Sequence, residues 1–276
     1  MFMSIDIGNT HTVIGIHKKD KLIADHRLTS TLQRTKDEIF AQVHSLLIEV
    51  GTNKKKIDGI GISSVVPNLT NVYVAMARKY FHQEPMVVST ELDLGIKILY
   101  DNPKSLGADR ICNAIAGYSK YGGPLIIIDF GTATTYDVVA SNGDFLGGVI
   151  APGIETSAIS LHRRTAKLPK ADLHLPEKII GVDTLSSIQT GILWGAIDAM
   201  TGMVKRIQKE LHEHQSKKAV VIATGGFSEF IVKHTHIIQH AEPTLVLDGI
   251  RLIYERMRSN KKTAKLFFAV NTQRRF

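Results

Sequence analysis

The chain has 276 residues, 43% hydrophobic and 22% charged, with 34 Lys and Arg against 26 Asp and Glu for a formal charge of +8. That balance is ordinary for a folded protein and excludes a chain that is mostly disordered or collagen-like. The single cysteine, Cys112, excludes an internal disulfide and any cysteine-cluster zinc site.

The basic excess is scattered over Lys54-Lys55-Lys56, Arg163-Arg164, Lys217-Lys218, Lys261-Lys262 and Arg274-Arg275. None of these runs is interleaved with aromatics as a nucleic-acid groove requires, so no nucleic acid is expected, whereas an anionic small molecule suits a positive field. No apolar run approaches the ~18 residues of a membrane span, and no basic leader precedes Asp6. A cytoplasmic protein without a membrane partner is expected.

Three β-rich runs open the chain, "FMSIDI", "HTVIGIHK" and "KLIADHRLTS", separated by turns at Gly8-Asn9-Thr10 and Lys19-Asp20. A helix follows from about Lys36 to Val50, with Ile39, Phe40, Val43, Leu46, Leu47 and Val50 on one face and Gly51 as its stop. Next come the strand "IDGIGISSVV", a helix carrying Leu69, Val72, Met76 and Tyr80, the strand "PMVVST", and a loop reaching Gly107. "LGADR", Leu106 to Arg110, then opens a helix in which Cys112 takes a packed position.

The second half repeats this order. "PLIIIDFG", "TTYDVVAS" and "DFLGGVIA" form another meander; a long helix runs from about Ser186 to Leu211, with Ile188, Ile192, Leu193, Met200, Val204, Ile207 and Leu211 inward; "KAVVIATGG" is a strand with a glycine turn. Superposing the halves matches Ile5 with Ile128, Asp6 with Asp129, Gly8 with Gly131 and Thr12 with Thr135. The match is short, and two unrelated strand-turn motifs would also produce it, but the common order of elements supports a duplicated domain. The expected division is 1–122 and 123–276, at the Gly122-Gly123-Pro124 turn.

An aspartate ending an apolar strand is costly if buried and unpaired, so its carboxylate should emerge into polar space and hold a cation or ordered water. Gly8 and Gly131 allow a ligand close to the backbone, while Asn9, Thr10 and Thr12, or Thr132, Thr134 and Thr135, offer donors to phosphate. A single copy is as simply an Asx-type turn; two copies in matching places favour a phosphate grip. "ATGGFSEF" opens a short helix at Gly225-Gly226, a start that suits a nucleotide, and "GGVIAPGI" is a bend set by Pro152. In "LGADR", Asp109 and Arg110 make either a helix cap with a surface charge or a general base with an anion clamp, and Tyr100 could line the same pocket. The histidines, including His212, His214, His234 and His236, show no ligand spacing.

Together these motifs resemble the type III pantothenate kinases of the acetate and sugar kinase, Hsp70 and actin superfamily. The resemblance rests on "DIGNTHT", "LGADR", "DFGTATTYD", "GGVIAPG", "DTLSSIQTG" and "ATGG", in the family's order over most of the chain. It implies an α/β fold of two duplicated ribonuclease H-like, actin-like domains, each a mixed sheet with helices, with an interdomain cleft. It implies that ATP with Mg2+ phosphorylates pantothenate to 4'-phosphopantothenate, the first step of coenzyme A synthesis. Carried over by motif, Asp6, Ile7, Gly8, Asn9, Thr10, His11, Thr12, Val13 and Thr132 would bind ATP. Tyr100, Gly107, Ala108, Asp109, Arg110 and Thr184 would bind pantothenate, with Asp109 as general base, and Asp129 would ligate a monovalent cation, K+ or NH4+. Members are typically homodimers, and the long helix from about Ser186 is expected at the interface. Two other readings stand beside this one: a sugar or acetate kinase of the same superfamily, and a regulatory protein or scaffold like the relatives described as Bvg accessory factors.

Overall fold

The computed structural model describes residues 1–214 and 217–273; the Arg274-Arg275 run lies outside them. By its contacts the chain divides into residues 1–116 with the segment from Leu245 onward, and Gly117–Thr244.

In the first unit, β1 (Phe2–Ile7), β2 (His11–Lys18) and β3 (Lys21–Thr29) form the expected meander. The alternation of β1 leaves Met3, Ile5 and Ile7 wholly buried on one face. Helix α1 (Lys36–Glu49) starts at a Thr35/Glu38 capping box and buries Ile39, Val43, Leu46 and Leu47, while Phe40 and Val50 are only partly covered. Gly51, at φ +65°, ends it. Strand β4 (Gly59–Ser64) lies parallel to β1, and helix α2 (Pro67–Met76) begins with its proline in the first turn, where the missing amide costs nothing. The expected "PMVVST" strand shrinks to the two-residue edge strand β5 (Met86–Val87). Sheet order is β3-β2-β1-β4-β5. Each fully buried Ile or Leu between this sheet and α1 and α2 contributes roughly 1.5–3 kcal/mol.

Two helices continue the architecture, α3 (Ala108–Tyr121) and, at the C-terminal end, α7 (Leu245–Gln273). The contact boundary falls inside α3. The division expected at residues 122 and 123 assigns the C-terminal segment to the second half, whereas α7 packs on the first sheet. Glycines explain why. A methyl on Gly59 would overlap the Tyr254 ring, one on Gly61 would lie 2.5 Å from Ile250, and one on Gly15 would lie 2.9 Å from Leu247. Tyr254 stacks on Phe2 with centroids 4.6 Å apart, and Gly249 lets α7 cross α3 against the Cys112 backbone.

In the second unit, β6 (Leu125–Phe130), β7 (Ala133–Val139) and β8 (Phe145–Pro152) form the second meander. They are followed by α4 (Ile154–Arg164), α5 (Thr184–His214), β9 (Val220–Gly225), α6 (Ser228–Val232) and β10 (His240–Ala241). Sheet order is β10-β9-β6-β7-β8, which repeats the first sheet strand for strand. On α5, Ile188, Leu193, Met200, Val204, Ile207 and Leu211 are buried as expected; Ile192 is partly covered and Ile197 takes the neighbouring core position. Helix α4, missing from the sequence reading, follows the Pro152-Gly153 bend. Among the described residues, no helix is long and apolar enough to cross a membrane.

Candidate functional site

In the first unit, Asp6 leaves the core at the end of β1 and is partly exposed between the buried Ile5 and Ile7. The hydroxyl of Ser63, its register partner on β4, donates to Asp6 Oδ1 at 2.9 Å. In the turn, the Gly8 amide donates to the His11 carbonyl at 2.9 Å, and Asn9 and Thr10 project into solvent. Ser30, beyond β3, ties the turn down: its hydroxyl donates to the Gly8 carbonyl at 2.7 Å, its amide donates to the Thr10 carbonyl, and Thr12 Oγ1 lies 2.9 Å from its Oγ. Ile7 and Thr12 therefore face inward, leaving only their backbones to a ligand, and His11 and Val13 are partly covered. Of the expected hydroxyl donors in this hairpin, Thr10 is presented and Thr12 is structural.

Gly107 and Ala108 lead into α3, followed by Asp109 and Arg110. A methyl on Gly107 would overlap Asp109 Oδ1, so this glycine lets the carboxylate fold back over the helix start. The Arg110 amide donates to that oxygen at 2.8 Å. Burial pushes the Asp109 carboxyl above the usual carboxylate range, and the Arg110 amide and guanidinium offset only part of the shift. The buried Arg110 guanidinium lies over the Tyr100 ring, 5.8 Å from its centroid. Beside these residues a cavity of about 520 Å³ is lined by Ser64, Val65, Leu106, Gly107, Ala108 and Ile111. Cys112 is wholly buried, and burial, with the Asp6 and Asp109 carboxylates near it, raises its thiol well above the ordinary range. It is a packed residue, as expected, and it links the two clusters: both aspartates act on the same thiol.

In the second unit, Asp129 ends β6 with Thr224 of β9 and Thr135 of β7 at its register. A methyl on Gly225 would overlap Asp129 Oδ1 and approach the Phe130 carbonyl to 2.7 Å, so only glycine lets these two oxygens lie so close to the turn. Gly131 and Thr132 are exposed; the Thr132 carbonyl accepts from the Gly153 amide at 3.2 Å and from Thr156 Oγ1 at 2.6 Å. Thus "GGVIAPG" does more than bend: it braces the Gly131-Thr132 turn. Thr134 is buried, and the buried Thr135 Oγ1 lacks a hydrogen-bond partner. Thr184 is exposed as the first residue of α5, next to Asp183, whose Oδ1 accepts the Ser186 amide at 2.8 Å. Among the described residues no three His, Cys, Asp or Glu side chains converge on a metal position.

Ser30 and Ser63 escaped the sequence reading. Each lies in or next to a strand, and only the pairing of β4 with β1 and of β3 with β2 brings them to the hairpin.

A type III pantothenate kinase from Roseiflexus castenholzii is 43% identical over 258 residues, covering 94% of this chain and all of the relative. Two solved structures share the fold at low identity. One, assigned to the Baf family of transcriptional activators in Campylobacter jejuni, has a TM-score of 0.57 at 18% identity, covering 92% of this chain and 98% of its own. The other, an activator of 2-hydroxyisocaproyl-CoA dehydratase from Clostridium difficile with bound ADPNP, has a TM-score of 0.54 at 13% identity, covering 95% and 97%. Together with the repeated strand order, these similarities bear out two duplicated ribonuclease H-like domains. The family model for type III pantothenate kinases matches residues 2–206, and with a full-length relative at this identity the chain belongs to the type III pantothenate kinase family.

Proposed function

We propose that this chain transfers the γ-phosphoryl group of ATP to the primary hydroxyl of pantothenate, giving 4'-phosphopantothenate and ADP in the first step of coenzyme A synthesis. The observation that carries this reading is the start of α3, where a partly buried carboxylate sits next to a buried guanidinium that lies over the Tyr100 ring, 5.8 Å from its centroid. In the reaction, Asp109 accepts the proton of the attacking hydroxyl, the hydroxyl oxygen bonds to the γ-phosphorus, and the bond from that phosphorus to the β,γ-bridging oxygen breaks. Arg110 holds the pantothenate carboxylate, and Tyr100, Gly107 and Ala108 shape the acceptor site; Thr184 contacts pantothenate in the site of its own or of a neighbouring subunit.

The hairpin from Asp6 to Val13 takes the triphosphate, through its turn amides and the exposed Asn9 and Thr10 side chains, and Thr132 adds a nucleotide contact. Magnesium suits Asp6, because that ion keeps most of its ligands from phosphate and water and needs few carboxylates from the protein. Potassium or ammonium is assigned to Asp129, whose Oδ1 lies close to Gly225 together with the Phe130 carbonyl. When bound, these ions neutralise charge on the phosphates. The protein works in the cytoplasm as a homodimer. The dimer is supported by Ile179, Ile180, Val182 and Leu185, large apolar residues left exposed before and at the start of α5. Sedimentation is expected to give the mass of two chains, falling toward one in an Ile180→Asp/Val182→Asp protein; a parent that sediments as a monomer removes the dimer.

The deciding assay incubates the full chain with ATP, magnesium, potassium and pantothenate and follows 4'-phosphopantothenate by mass. Hexoses and acetate serve as competing acceptors. Phosphorylation of pantothenate alone is expected; no product from bound pantothenate, or preference for a hexose or acetate, overturns the assignment.

A further inference from the structure

We propose that Ser63 is a positioning residue: its hydroxyl aims the Asp6 carboxylate at the magnesium of the bound nucleotide. The inference rests on the nucleotide-binding role given to the hairpin. Parallel pairing of β1 with β4 sets Ser63 opposite Asp6, and the wholly buried hydroxyl donates to Asp6 Oδ1 at 2.9 Å. This donor, held within the core, fixes one carboxylate oxygen from inside the fold.

Steric need does not explain this serine. On the same face of β4, Gly59 and Gly61 have no side chain because α7 lies against them, and residue 63 breaks that series with a hydroxyl. The other half repeats the arrangement, since Thr224 is buried at the register of Asp129 on the strand equivalent to β4. A hydroxyl residue therefore stands beside the aspartate of both hairpins. Thr224 also indicates that threonine is compatible with this register.

Calorimetry with a non-hydrolysable ATP analogue, with and without magnesium, tests the proposal on Ser63→Ala and Ser63→Thr proteins. Ser63→Ala is expected to weaken the magnesium–analogue complex about tenfold, the effect of losing a hydrogen bond to a charged acceptor. Metal-free analogue affinity and the KM for pantothenate stay at parental values, and Ser63→Thr recovers most of the loss. Parental magnesium dependence in Ser63→Ala overturns the proposal; so does a loss of equal size with and without magnesium, the mark of a merely structural serine. A parent that fails to phosphorylate pantothenate, yet whose magnesium–analogue affinity depends on Ser63, removes the kinase reading and leaves the positioning role standing.

Discussion

Replacing Asp109 with asparagine should reduce turnover about 100-fold or more while ATP affinity stays near that of the parent, as loss of a general base would. The amide has nearly the size of the carboxylate and keeps an oxygen for the Arg110 amide, which now bonds Asp109 Oδ1 at 2.8 Å. What it lacks is a site for the hydroxyl proton. Single-turnover phosphorylation against nucleotide-binding titrations separates the two quantities, and an unchanged rate removes Asp109 from the role.

The same carboxyl sets an acid limb. Burial raises its pKa, so a base that must be ionised loses its proton-accepting form at a higher pH than a free aspartate would, and kcat/KM should fall with acid above the ordinary aspartate range. Stability runs the other way. The folded state binds this proton more tightly than the unfolded chain does, so stability falls as pH rises from the unfolded pKa through the folded one. The asparagine protein escapes that cost, and at neutral pH its Tm should equal or exceed the parent's, with the advantage vanishing in acid. Such a trade of stability for reactivity is typical of a catalytic group.

Much of this architecture is written locally. Alternation in "FMSIDI" and "LIIIDF", the helical spacing of Ile39, Val43, Leu46 and Leu47, and the glycine turns are short-range properties, and they place both hairpins. Helix α7 is different. Its apolar residues Leu245, Leu247, Ile250 and Ile253 have helical spacing, but the surface they cover is made by Gly15, Gly59 and Gly61, far away in the chain. The site divides in the same way. Motif spacing marks Asp6, Asp109 and Asp129; the inward turn of Thr12, the anchoring by Ser30 and the burial of Asp109 arise only when strands pair and helices pack.

For Asp129→Ala, activity in potassium should fall roughly tenfold or more, to the level the parent shows in sodium, on the proposal that this carboxylate acts through a bound monovalent cation. The geometry supplies an independent route to the same state. Gly225 has φ +84°, and a methyl there would strike Asp129 Oδ1 and crowd the Phe130 carbonyl, so Gly225→Ala displaces the carboxylate without removing its charge. It also strains the backbone, and a lower Tm is expected. The informative quantity is therefore the ratio of activity in potassium or ammonium to that in sodium, which is insensitive to the fraction of folded protein. Both substitutions should bring the ratio to one, whereas Thr132→Ala, which alters the neighbouring turn, should weaken nucleotide binding and leave the ratio alone. A parent equally active in sodium and potassium discredits the cation site. A Gly225→Ala protein that keeps the parental ratio while Asp129→Ala loses it shows that the cation effect does not depend on the close approach of Asp129 to Gly225.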